Sequence, residues 1–251
     1  MRTPLQGTLN VARFNWPYYA AAGAGAVLAA AGGRLVPNRR FALAKPLRGI
    51  LKLGLFAGGV ATLNSLLATY CVYDGSGYYD LDWLDHVPTP RRVLNVNAGF
   101  DELTGLLRVR YPAAEVVPVD FYDPETHTEA SIARARAAYP PPPDTVALGR
   151  PAHVSRLAPA NLIVAALSAH EIRDAAERAD FFARLRARLL PGGRIVLVEH
   201  VRDLANALAY SVGVGHFHTR AEWQATFDGA GLRVVDERRH TPFLRVITLA
   251  A

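Results

Sequence analysis

Residues 93–107 read "VLNVNAGFDELTGLL". The first five have the apolar character of a buried strand, "AGFD" is a turn, and the spaced leucines that follow begin a helix. Strand, tight turn and helix in that order make the opening unit of a parallel α/β sheet. The turn then lies at the carboxyl end of the strand, where such sheets bind ligands. Gly99 lets the backbone approach a ligand or take positive φ. Loops of this kind usually carry further glycines, but here Asn97 and Asp101 stand in those places. Asparagine tolerates the left-handed region better than most residues, so Asn97 can adopt it.

Downstream, the same alternation continues. "EVVPVD" (115–120), "DTVALG" (144–149), "LIVAALS" (162–168), "RIVLVE" (194–199), "LRVVDE" (232–237) and "FLRVITL" (243–249) read as further strands. Helices are expected over about 102–111, 125–138 and 171–190, the last stopped by "PGG". Thr219 and Glu222 form a capping box for a fourth helix. Seven strands alternating with helices predict an α/β fold, a doubly wound and mostly parallel seven-stranded sheet, over residues 86–251. Asp120 ends the second strand 21 residues after Gly99, where an acid can accept the hydroxyls of a ribose.

Taken in order, "VLNVNAGFD", "VVPVDF", "LLPGGRIVLVEH" and "TRAEWQATFDGAGLRVVDE" resemble the class I S-adenosylmethionine-dependent methyltransferases over roughly residues 90–250. The resemblance implies a Rossmann-like methyltransferase fold with S-adenosylmethionine as cofactor. By it, Asn95, Asn97, Gly99 and Asp101 belong to the cofactor loop, and Asp120 is the ribose acid. Phe121 would lie against the adenine, flanked by Gly149 and Arg150. The family usually has an acid at Asn95 and glycines at Asn97 and Asp101. Asp101 or Glu102 could instead meet the cofactor's ammonium group with a carboxylate.

Methyl transfer needs an aligned nucleophile and, for a hydroxyl or amine, a base. "SAHEIRD" after the fourth strand supplies His170 and Glu171, and "VEHVRD" after the fifth supplies Glu199 and His200. These four are the expected catalytic residues, with His170 the general base because imidazole exchanges protons near neutral pH. Arg173, Arg202, His216 and His218 are the expected substrate contacts. Glu171, Glu199 and a histidine have the chemistry to hold a metal, but the expectation is that none takes part.

The first 85 residues differ in kind. Twenty residues from Phe14 to Gly33 and twenty-one from Leu53 to Tyr73 carry no charge, each enough for a helix to cross about 30 Å of hydrocarbon. They are expected to form a hydrophobic hairpin, with Gly54 and Gly58 setting close packing and Trp16, Tyr18, Tyr19, Tyr70 and Tyr73 at the membrane interface. Between the two segments, residues 34–52 carry six basic side chains and no acid, which the positive-inside rule keeps cytoplasmic. A hairpin dipping into the cytoplasmic leaflet reconciles that loop with a catalytic domain also facing the cytoplasm.

Net charge is +6, yet residues 86–251 hold twenty basic and eighteen acidic side chains. That near-balance, and the lack of an "NPPY"-type motif, argue against nucleic acid as partner. One cysteine excludes an internal disulfide and a Cys-rich zinc site. The expected protein is a membrane-associated methyltransferase acting on a small lipophilic acceptor, with oxygen, nitrogen and carbon all open as the methylated atom. The alternative is an inert methyltransferase-like scaffold.

Overall fold

Strands β1 (Arg92–Asn97), β2 (Glu115–Asp120), β3 (Val146–Ala147), β4 (Ala160–Ala166), β5 (Leu189–His200), β6 (Arg233–Arg239) and β7 (Leu244–Ala250) form one sheet. Their order is β3-β2-β1-β4-β5-β7-β6. Pairing is parallel from β3 to β5 and antiparallel where β7 inserts between β5 and β6. The order reverses at β1 and β4, so a crevice opens between their carboxyl ends. The structure is a computed structural model and describes residues 5–35 and 44–251. Arg39 and Arg40 of the expected basic loop lie outside those residues.

Eight α-helices accompany the sheet among the described residues: α1 (Gln6–Phe14), α2 (Trp16–Leu35), α3 (Ala44–Tyr73), α4 (Thr104–Arg110), α5 (Ala130–Ala138), α6 (Ala175–Arg186), α7 (Leu204–Tyr210) and α8 (Arg220–Gly229). The period-2 alternation of the strands divides the core into two layers. Leu94, Val96, Ile163, Ala165, Ile195 and Leu197 pack with Phe181, Phe182, Trp223 and Phe227 of α6 and α8. Val93, Leu162, Val164, Val196 and Val198 face the other way. There they meet Leu107 of α4 together with Val72, Leu81, Trp83 and Leu84. Residues on both sides of the expected boundary at 85/86 therefore share one core.

The capping box at Thr219 and Glu222 is formed. Other local expectations need correction. The helix expected to run to residue 190 ends at Arg186, and "LLPGG" belongs to the irregular start of β5. Gly192 supplies the positive φ of that turn (+76°) rather than a helix stop. Asn97 does not use its tolerance of the left-handed region, because it is still paired with Asp120 as the last residue of β1.

At the N-terminus, α2 and α3 lie antiparallel. Tyr19 is hydrogen-bonded to Ser65 at 3.3 Å, and Gly32 faces Leu51 near the other end. Gly54 and Gly58 look onto open space, so they do not make the expected seam with α2. Among the described residues of α3, only its foot is buried, at Ala68, Thr69 and Val72. Helix α1 was not foreseen. It rests on α3 and α5, with Thr8 and Gly7 donating backbone hydrogen bonds to Asp74 (2.8 and 3.0 Å).

Candidate functional site

The loop after β1 is held by its polar substitutions. Gly99 N–H donates to Asn97 Oδ1 (3.0 Å), closing the turn that a second glycine would otherwise permit. Asp101 Oδ1 accepts from the backbone of Leu103 and Thr104 (3.1 and 3.0 Å) and so caps α4. Asn95 donates to Asp101 Oδ1 and Thr104 Oγ1, both at 2.9 Å. Asn95 and Asp101 are thus occupied with each other. Two atoms remain buried without a partner: Asn97 Nδ2 and Asp101 Oδ2.

A cavity of about 170 Å³ adjoins this loop. It is lined by Asn95, Asn97, Glu102, Leu167 and Glu171, and roofed by Asn10 and Phe14 of α1. Glu102 also accepts a hydrogen bond from Tyr79 Oη at 2.7 Å.

Toward β2 the crevice is filled by the chain itself. Gly99 has φ +102°, and a Cβ there would lie 3.0–3.1 Å from Ile132, Arg136 and Tyr122. Arg136, from α5, forms a salt bridge with Asp120 Oδ2 and lies 4.5 Å over the Tyr122 ring. Asp120 Oδ1 accepts from Tyr122 N–H (2.9 Å). The expected ribose acid is therefore already paired. Phe121 is fully buried against Phe181 and His127, which corrects its expected place beside an adenine. Gly149 has φ +69°, and Arg150 stays largely exposed, 3.8 Å from Asp123 and 3.9 Å from Glu125.

The expected catalytic residues converge at the tips of β4 and β5. Leu167 takes φ +50°, a strained conformation for a bulky residue, as the chain leaves β4. Ser168 Oγ then donates to Val96 O (3.1 Å), fixing the turn that carries His170. Glu199, fully buried, accepts from the backbone of Ser168 and His170 (3.0 and 3.2 Å) and lies 2.7 Å from His170 Nδ1. Glu171 Oε1 is 3.3 Å from His170 Nε2 and 3.4 Å from His216 Nε2. Burial opposes charge on His170, but Glu199 and Glu171 outweigh it and push its pKa up to about 10. Burial likewise opposes charge on Glu171, yet hydrogen bonds from His170 and His216 hold it well below the usual carboxylate range. His170 thus rests as an imidazolium, which is not the base expected of it.

Around this centre the remaining candidates separate. His200 Nδ1 lies 3.1 Å from both Asn206 Oδ1 and Phe243 O, and its ring stacks on Phe217 at 4.6 Å. Burial lowers its pKa to about 4, so it is neutral. His218 accepts from Arg178 (3.1 Å) beneath Trp223, and burial followed by Arg178 lowers it to about 4. Arg202 pairs with Glu222 at 2.9 Å and donates to Phe217 O at 2.9 Å. Arg173 donates to the carbonyls of His216 and Gly215, pinning that loop. Of the four expected substrate contacts, His216 and Arg173 line a cleft, formed with Thr126, His127, Glu129, Glu171 and Val212. His218 and Arg202 serve the packing of α8. Sequence reasoning missed Arg136 and the roof formed by α1.

No protein-family model matches the chain, and no curated protein matches it in sequence. Solved structures do. One is N,N-8-amino-8-demethyl-D-riboflavin dimethyltransferase (RosA) from Streptomyces davawensis, 17% identical at a TM-score of 0.52, over 95% of this chain and 71% of that one. Another is CalO1, a methyltransferase in calicheamicin biosynthesis in its SAH-bound form, 14% identical at a TM-score of 0.52, over 99% and 73%. LaPhzM is 16% identical at a TM-score of 0.51, over 96% and 72%. The solved structures compared are spanned by this chain over 59% (PhzM) to 73% of their length. At these identities the likeness gives the fold, which is that of the class I methyltransferases.

Proposed function

We propose that this methyltransferase-fold chain is an S-adenosylmethionine-dependent methyltransferase acting at a membrane on a small lipophilic acceptor, its catalytic part facing the cytoplasm. One observation carries the reading. A cavity at the switch point of the sheet, bordered by Asn97 and Glu102, shares Glu171 with a second cleft lined by Arg173 and His216. A donor molecule and an acceptor could thus meet across Glu171.

The fit to the cofactor divides in two. At the amino-acid end, Asn97 Nδ2 is a buried donor without a partner and Glu102 offers a carboxylate to an ammonium group. At the ribose end, Asp120 becomes available only when Arg136 leaves it. The cavity of about 170 Å³ must also widen, since ligand pockets start at roughly 300 Å³. When bound, S-adenosylmethionine supplies an electrophilic methyl group. For the chain's part, Glu171 is a carboxylate able to orient a hydroxyl or amine, and Glu199 fixes the ring of His170 beside it.

Membrane and lipophilic acceptor rest on exposed apolar surface. Helix α3 is long and apolar enough to cross a bilayer, and its most apolar 18-residue stretch has no buried residue. Phe56 (71%), Leu53 (66%) and Leu63 (56%) are exposed along it, and Trp16, Tyr18 and Tyr70 stand exposed near the hairpin's root. Leu204, Leu208 and Val212 extend this surface from α7, which packs on α3, to the rim of the cleft. An acceptor could pass from lipid into that cleft.

A second reading, an inert methyltransferase-like scaffold, is favoured by the Arg136–Asp120 pair alone. The test is transfer of a labelled methyl group from S-adenosylmethionine to a lipid extract of the source cells. Label in an extractable product supports the enzyme, and its absence with wild-type protein supports the scaffold.

A further inference from the structure

His170, Glu171 and His216 come from two loops 45 residues apart, and their ligand atoms lie within 4.8 Å of one another. Both Nε2 atoms approach the same carboxylate oxygen, at 3.3 and 3.4 Å. Those spacings are long for ring N–H···O hydrogen bonds, which centre near about 2.9 Å. They match two edges of a coordination tetrahedron, where ligands about 2.0–2.1 Å from an ion stand about 3.3–3.4 Å apart. We propose that His170, Glu171 and His216 bind a single divalent transition-metal ion of the zinc class.

Three further observations support the site. The distal nitrogen of His170 is anchored on Glu199 at 2.7 Å, and Glu199 is itself held by two backbone N–H groups. A carboxylate behind a ligating histidine fixes its orientation and raises its basicity. Charge also balances: once the ion displaces the proton of His170, two neutral imidazoles, Glu171 and the buried Glu199 together carry two negative charges, which match a dication. Finally, Arg173 clamps the carbonyls of Gly215 and His216, so the third ligand is positioned without metal.

Three protein ligands leave coordination positions for a small molecule, and the cleft lined by Thr126, Glu129 and Val212 gives access to them. The set also differs from the one the sequence suggested. Glu199 stands behind His170 rather than beside the ion, and His216 replaces it. The proposal goes beyond methyl transfer and requires neither the cofactor nor its crevice.

The test uses the full chain in detergent, stripped with chelator and then titrated with Zn²⁺ or Co²⁺. One equivalent is expected to bind, with X-ray absorption showing two imidazoles and oxygen donors. Glu171→Gln and His216→Ala should each weaken binding at least tenfold, and Glu199→Gln roughly ten- to a hundredfold through His170. His240→Ala serves as the unaffected control. Failure of wild-type protein to bind either ion overturns the proposal. So does a coordination shell without two imidazoles, or full affinity in folded Glu171→Gln and His216→Ala proteins. Titration with S-adenosylhomocysteine on the same samples reads the cofactor crevice separately.

Discussion

Single histidines in this site are held in opposite charge states. His170 is kept protonated by Glu199 and Glu171 against its own burial, while burial keeps His200 and His218 neutral. The last two, lowered to about 4, bind fewer protons folded than unfolded between pH 4 and 6.5. Their contribution to stability is present above pH 6.5 and is lost as pH falls toward 4. His170 works the other way: its contribution is full below pH 6.5 and is lost as pH rises toward about 10. In chelating buffer, the thermal midpoint should therefore fall from pH 6.5 to 4. A midpoint that stays level over that window would contradict buried neutral His200 and His218. A second residue-scale expectation concerns Glu199→Gln. With the nearest counter-charge gone, the pKa of His170 should drop toward or below its ordinary 6.5, read from its imidazole resonances.

Among the elements, α5 fills the β2 side of the crevice. It carries Arg136 onto Asp120, and Arg136 also donates to Gly99 O at 3.3 Å. If that contact holds the ribose end closed, Arg136→Ala should tighten S-adenosylhomocysteine binding. The gain is about tenfold for every ~1.4 kcal/mol the contact gives the closed form. Unchanged or weaker binding by folded Arg136→Ala would show that α5 is not a barrier. The central strands were readable because β1, β4 and β5 alternate between two buried layers, and the turn after β1 was readable from Gly99. Helix α1 was not, because its buried face is Gly7, Asn10 and Phe14, with one large apolar residue among three. Arg136 was passed over because arginine is common throughout the chain, so nothing in the sequence marked this one as half-buried beside an acid. The roles of His218 and Arg202 failed for a related reason: adjacency to "HFHTR" and "VEHVRD" said nothing about which side chains turn inward to α8.

For the whole molecule, the exposed hairpin and the cleft at Glu171 and His216 are joined by the exposed apolar side chains of Leu204, Leu208 and Val212. The foot of α3 enters the core with Trp83 and the sheet, while its upper part and α2 carry apolar side chains outward. Paired Phe56→Asp and Leu63→Asp substitutions should move the protein from the membrane to the soluble fraction, since each acid near mid-bilayer opposes insertion by roughly 2.5–3.5 kcal/mol. An unaltered distribution would mean that this face meets another protein instead.

The central claim is that a sulfonium nucleoside binds where β1, β2 and β4 end, and calorimetric titration of S-adenosylhomocysteine into detergent-solubilised wild-type protein addresses it most directly. Saturable binding at one site per chain, lost in Asn97→Leu, is the predicted result. No heat of binding from folded protein at millimolar ligand would contradict it.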